Sequence, residues 1–217
     1  VFCLLAKLFT RDGFDAIVNL AFYFSTIVFV LCFHAVVIYS AVLYLFNRLN
    51  PLKLFINMRP AMLFAFSTSS SNATIPVTLS AARERLGADN SIASFTVPLG
   101  ATVNMDGTAI MQGIATVFIA QAYGLELSMV QYLSVVATAT LASIGTAGVP
   151  GVGLITLAMV LQQVGLPVEG IGLIIGVDRL LDMLRTVVNI SGDGMVTTVV
   201  AHSEKRLNKD LFNTMKS

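Results

Sequence analysis

GVDRLLDMLRTVVNISGDGM, residues 176–195, is an apolar helical pattern interrupted by charge. With side chains about 100° apart around a helix, Asp178, Asp182, Arg185, Thr186, Asn189 and Asp193 share a sector of roughly 100°. Arg179 falls at the edge of that sector. An Asp or Arg at the centre of a membrane helix costs about 2.5–3.5 kcal/mol, so Asp178, Asp182, Arg185 and Asp193 carry a gross cost of roughly 10 kcal/mol against lipid. The face they form has to look into protein, water or bound ligands. Ion pairs gluing helices together are one use for it. The other follows from Asp182 and Arg185 at i, i+3 beside Thr186 and Asn189. This set supplies an anion for an ammonium, a fork for a carboxylate and neutral hydrogen-bonding groups between. A zwitterion with an acidic side chain requires that assortment.

The rest of the chain explains why lipid enters the argument. Apolar residues make up 56% of the 217 and charged residues 12%, and mean hydropathy is +0.82, all displaced from soluble averages. Residues 16–46 hold His34 as their one basic group and no acid, a run well beyond the roughly 20 residues that cross a bilayer. An integral membrane protein is expected. A net charge of +1 gives no reason to expect nucleic acid as a partner. Cys3 and Cys32 fit no disulfide or zinc spacing. The chain opens inside an apolar run, VFCLLAKLF, without Met or a cleavage site, which reads as truncation and not as targeting.

Residues 1–9 read as the end of one transmembrane helix, TRDGFD (10–15) as a turn, and 16–46 as a complete second span. From 47 to 203 the apolar runs are short and broken by Ser, Gly, Pro, Asn or Asp, a pattern allowed at membrane depth only where irregular backbone is buried or lines a cavity. Residues 204–217 form a basic tail. Arg48, Lys53 and Arg59 make one positive group, and Lys205, Arg206, Lys209 and Lys216 another. Both are expected on the cytoplasmic side, which places the C-terminus there. Segments 60–82 and 128–164 must then enter and return without crossing, as re-entrant hairpins from opposite faces. SSSNATIP (69–76) and SIGTAGVP (143–150) align without gaps, an echo expected of inverted repeats that meet at a midplane binding site.

Two further motifs carry chemistry. In NMDGT (104–108) Asn104, Asp106 and Gly107 weaken the helix together, so an unwound turn is expected, whose free carbonyls and carboxylate suit a hard monovalent cation. An ordinary kink with a hydrogen-bonded Asp is the plainer reading. Pro76 and Pro150 are placed at the first turn of half-helices, with the preceding N–H groups aimed at an anion. His34 reads as a packed or hydrogen-bonded histidine ahead of a proton relay.

At SSSNATIP, NMDGT, SIGTAGVPG and DMLRTVVNISGD the sequence resembles the dicarboxylate/amino acid:cation symporters, which include glutamate and aspartate transporters. The four motifs stand in order across residues 50–200. The resemblance implies an all-α membrane fold with two re-entrant helical hairpins and broken helices, the N-terminal half missing. It implies secondary active symport of aspartate, glutamate or a C4-dicarboxylate with sodium ions or protons, in a homotrimer of the plasma (inner) membrane, with no catalytic residue and no organic cofactor. Arg185 and Thr108 would bind the substrate side-chain carboxylate and Asp182 the amino group. Ser70, Asn189 and the backbone near Val149 and Gly153 would take the remaining contacts, with Thr186 lining the pocket. One sodium site would use Gly100, Asn104, Asn189 and Asp193. A second would use Thr102, Ser143, Ile144 and Thr146 near Met105, and a third Asp106 with Asn104. Thr68 and Met183 stand where the family places an arginine. Gln112 stands where potassium-coupled members carry Glu, so potassium countertransport is not expected.

Two other functions fit some of these features. SGD at 191–193 and several membrane-depth acids suggest an intramembrane aspartyl protease, but Ile190 stands where a glycine is needed and Arg185 has no part in a dyad sharing a proton. A passive channel would lack saturable, cation-dependent uptake.

Overall fold

In the computed structural model the backbone is described for residues 2–214 and the side chains for residues 17–214. All named elements among them are helices. α1 (Phe2–Phe33), a π-helical stretch His34–Tyr39 and α2 (Ser40–Asn47) run on as one rod. Residues Ile17–Asn47 are long and apolar enough to cross a membrane, with mean hydropathy 2.4. The rod's burial pattern is helical. Leu20, Tyr23, Ile27 and Leu31 point inward, whereas Phe22, Phe29, Leu45 and Phe46 are exposed. A surface of bare aromatic and aliphatic groups suits hydrocarbon.

The turn expected at 10–15 is not there, because α1 passes through those residues as helix. A single interior glycine costs a helix only about 1 kcal/mol, too little to end one alone. Arg48, at φ 53°, does end the rod. Asn50 then caps α3 (Pro51–Thr68), accepting from the Leu52 N–H.

α3 and α4 (Ser71–Glu84) form the first hairpin. It starts at 51 instead of 60 because the Asn50–Pro51 cap begins the helix there. Ser69, at φ 51°, closes α3, and the Ser70 hydroxyl caps α4 by accepting from the Ala73 N–H at 3.1 Å. Pro76 therefore sits inside α4, not at its start, and the serine cap does the work assigned to proline. α5 (Asn90–Val103) begins at Asp89, whose carboxyl is held below its ordinary value by the Ser91 hydroxyl and N–H, with help from Arg206. Asn104 and Met105 leave helical geometry, and α6 (Asp106–Ala122) follows. The unwound turn is thus narrower than NMDGT, with Asp106, Gly107 and Thr108 in the first turn of α6.

The second hairpin pairs α7 (Met129–Ser143) with α8 (Val152–Gln163). Ser128 and Gln131 form a capping box that starts α7. Gly151, at φ 80°, starts α8, so Pro150 lies just outside it. After a short 3₁₀ turn, α9 (Ile171–Ser203) is a single unbroken helix. It packs against α1, α3, α4, α5 and α6, which makes it the axis of the molecule. α10 (Lys209–Asn213) folds back beneath α3.

One end of the bundle gathers the basic groups. The Lys53 ammonium donates to the Asn213 carbonyl at 2.9 Å, Asn57 Nδ2 to the Phe212 carbonyl at 3.0 Å, and the Asp89 N–H to the Arg206 carbonyl at 3.0 Å. The two positive segments therefore share one end, as their common placement requires, with Lys216 outside the described residues.

Close helix packing yields a stability test within α6. A Cβ at Gly107 would lie 2.9 Å from the Arg185 carbonyl oxygen, whereas one at Gly113 would meet nothing within 4 Å. Gly107→Ala is expected to destabilise the protein by about 1–3 kcal/mol through overpacking, and Gly113→Ala to stabilise it by up to about 1 kcal/mol through helix propensity. Thermal unfolding of the full-length protein in detergent should show the first melting below the parent and the second at or above it.

Candidate functional site

The polar face read from the sequence turns inward. Asp178, Arg185, Thr186, Asn189 and Asp193 of α9 are all buried, Arg185 to 1% exposure. Arg185 Nη2 donates to Asp182 Oδ1 at 2.8 Å and lies 3.3 Å from Asp178 Oδ1. Its Nε and Nη1 are buried without a partner. A Cβ on Gly153 would come within 3.0 Å of Nη1, so the start of α8 lies directly over the guanidinium. Asp182 Oδ2 accepts from the Gly151 N–H at 3.0 Å, and the Thr186 hydroxyl donates back to the Asp182 carbonyl at 2.8 Å.

The two hairpin tips and the break in α5–α6 complete the site. Ser70 Oγ donates to the Gly148 carbonyl at 2.6 Å, and the Asn72 N–H donates to the same oxygen at 3.0 Å. The two octapeptides that echo in sequence thus touch in space. Between the tips and α9 is a cavity of ≈ 20 Å³, about the room one water needs. Thr108, Val149, Gly153, Asp182, Thr186 and Asn189 line it, together with Met105, Thr146 and Ser69. Ser70 and Arg185 stand just behind its wall, the serine occupied as helix cap and tip contact.

The residues assigned to cations fall into three groups. Asn104 Nδ2 donates to Asp193 Oδ1 at 2.9 Å and to the Asn189 carbonyl at 3.2 Å. The Asp193 carboxylate packs directly on Gly100, leaving no space for a side chain there. One neutral amide, that of Asn104, thus bridges the buried Asp193 carboxylate and the Asn189 carbonyl. In the second group the Gly145 N–H donates to the Thr102 carbonyl at 2.8 Å and the Thr146 N–H to the Ser143 carbonyl at 3.1 Å, so Ile144 and its neighbours wrap the end of α5 beside Met105. The third group separates. Asn104 turns to Asp193, while Asp106 Oδ2 takes the Tyr39 hydroxyl at 3.0 Å and His34 Nε2 at 3.1 Å. His34 is thus a hydrogen-bonded histidine, and Tyr39 a partner the sequence reading missed.

Asn189 joins the substrate and cation groups. Its side-chain oxygen accepts from the Gly107 N–H at 2.8 Å, its Nδ2 reaches Met105 Sδ at 3.2 Å, and its main-chain carbonyl faces Asn104.

The tip contact has a direct test. A Cβ on Gly148 would meet the Asn72 N–H and the Ala101 carbonyl, both backbone, at 3.0 Å. Gly148→Ala should therefore part the tips and lose two hydrogen bonds worth about 1 kcal/mol each. Hydrogen exchange across 144–151 should quicken by roughly tenfold or more, with exchange in α9 unchanged.

Known proteins share this sequence over most of its length. Residues 1–203 match the sodium:dicarboxylate symporter family. Excitatory amino acid transporter 3 of Mus musculus is 42% identical over 206 residues, 95% of this chain and 39% of that protein. An excitatory amino acid transporter of Caenorhabditis elegans is 41% identical over 207 residues, 94% of this chain and 41% of its own. Excitatory amino acid transporter 1 of Homo sapiens is 43% identical over 184 residues, 85% and 34%. The chain spans about two fifths or less of the length of these relatives. With the match running from its first residue to the end of α9, this chain belongs to the sodium:dicarboxylate symporter family.

Proposed function

We propose that the protein containing this chain is a secondary active symporter of acidic amino acids, aspartate or glutamate, driven by sodium ions. The observation that carries the reading is Arg185. A buried guanidinium with Nε and Nη1 unpartnered is costly unless an anion completes its hydrogen bonds. The side-chain carboxylate of the substrate completes it, with Thr108 beside it. Asp182 takes the ammonium. The α-carboxylate lies against Asn189 and the N–H groups at the hairpin tips, near Ser70, Val149 and Gly153.

Coupling follows from shared residues. A sodium ion held by Asp193 with the carbonyls of Gly100, Asn104 and Asn189 offsets a buried negative charge and fixes the Asn189 backbone, whose amide faces the cavity. A second ion among Thr102, Ser143, Ile144 and Thr146 ties the second hairpin to α5, so closing that hairpin depends on the ion. The hairpin serves as the gate. Asp106 with Asn104 forms a third, weaker assignment, because the two side chains point to different partners. The name of the family supports sodium and a dicarboxylate, and the names of the relatives an amino acid, which an acidic amino acid satisfies together. The shared basic end supports a cytoplasmic C-terminus in the plasma (inner) membrane. A homotrimer is proposed for the full-length protein.

Reconstitution of the full-length protein in liposomes, with sodium and pH gradients imposed separately, tests the scheme. Aspartate uptake is expected to follow the sodium gradient. Arg185→Cys removes one partner of a buried charge pair, a loss of about 3–5 kcal/mol, and should weaken the apparent affinity for aspartate by at least about 100-fold. Unchanged uptake by that variant would remove Arg185 from the pocket and the reading with it.

A further inference from the structure

Four buried polar atoms around Arg185 have no hydrogen-bond partner: its own Nε and Nη1, Asp178 Oδ1 and the Tyr23 hydroxyl. Nη1 faces the hairpin tip at Gly153 and is accounted for by the substrate carboxylate. Asp178 and Tyr23 have no role in that scheme. Yet Asp178 is an acid set in the bundle, its Oδ1 3.3 Å from Arg185 Nη2, and Tyr23 is 2% exposed on the inner face of α1. The Tyr23 ring is fixed against Phe118 at a centroid distance of 4.8 Å, and α1 packs along α9, which carries Asp178 and Arg185.

We propose that Asp178 and Tyr23 are positioning residues that hold Arg185 from behind and so free Asp182 for the substrate's ammonium. The proposal rests on the reading of Arg185 and Asp182 given above. The difficulty it resolves is a competition. Asp182 Oδ1 is the closest acceptor of Arg185 Nη2, at 2.8 Å, and Asp182 Oδ2 already takes the Gly151 N–H. An aspartate bound that way has part of its charge spent on the arginine. Asp178 lies one turn below Asp182 on the same face of α9, so Nη2 reaches it by moving about 0.5 Å, the difference between a loose contact and a charge-assisted hydrogen bond. With Nη2 on Asp178, the arginine keeps a counter-charge behind while its front fork meets the substrate, and Asp182 turns to the amine. In that arrangement the unpartnered Tyr23 hydroxyl becomes the donor that keeps the Asp178 carboxylate from rotating away. An amine-bearing dicarboxylate is thereby selected over one without the amine.

The test uses the full-length protein in liposomes, Tyr23→Phe and Asp178→Asn, and succinate as competitor, which carries two carboxylates and no amine. Tyr23→Phe keeps the ring on Phe118, so it should leave the fold intact. KM for aspartate is expected to rise roughly tenfold in each variant, with maximal rate and half-saturating sodium within about twofold. The ratio of succinate to aspartate inhibition constants should fall by a similar factor, because only the amine contact is lost. An unchanged ratio in both variants overturns the proposal, even if expression or maximal rate falls. Arg185→Cys run in parallel separates the two ideas. If it abolishes uptake while both variants keep the parental ratio, only the positioning role fails; if it leaves uptake intact, the site itself is wrong.

Discussion

The buried charge on α9 governs the structure. Asp178, Asp182, Arg185 and Asp193 cannot face hydrocarbon, and one helix cannot shield its own side. The other elements are arranged to enclose that side: α1 contributes Tyr23 and the π-helical stretch Tyr39, the α5–α6 break contributes Asn104 and Gly107, and the second hairpin tip contributes Gly151 and Gly153. Polar groups gather at the axis within an apolar core, while many large apolar side chains, Phe22, Phe29 and Phe46 among them, stay exposed. Broken helices follow from the same need. A regular helix spends its N–H and carbonyl groups on itself, so backbone donors for buried acids, such as the Gly151 N–H on Asp182, exist only where the helix stops.

Much of this was legible locally, and the reasons differ by element. The polar sector of α9 is a property of spacing, and one unbroken helix preserves it. Asn104 and Met105 leave the helix where Asn104, Asp106 and Gly107 bring three weak helix formers together. The tips were legible as an echo between two octapeptides. Their limits were not, because serine and glycine geometry, and not proline, sets where α4 and α8 begin. The turn at 10–15 failed since a lone glycine is a weak helix breaker.

The missed partners share another cause. His34 and Tyr39 reach Asp106 across 72 and 67 residues; His34 stands out as the one basic group of its span but nothing local names its partner, and nothing local marks Tyr39 at all. A π-helical stretch begins at His34 and ends at Tyr39. Such stretches shift the register of the side chains that follow and recur at functional sites. This one brings both residues to one carboxylate oxygen. Tyr23, earlier on the same rod, is packed as deeply as Leu20 or Ile27; only its unpartnered hydroxyl distinguishes it from them.

Asn189 shows how separate sites become one device. An amide side chain offers an acceptor and two donors in fixed relation. Here the acceptor is on the Gly107 N–H, a donor is near Met105 and Thr108, and the backbone carbonyl faces the Asn104–Asp193 group. Displacing the carbonyl rotates the peptide plane, and the side chain cannot follow freely while Gly107 holds it. A change at Asp193 is therefore passed to the cavity lining through a single residue, across one buried peptide of an unbroken helix. That continuity also explains why α9, alone among the helices lining the site, is not interrupted there.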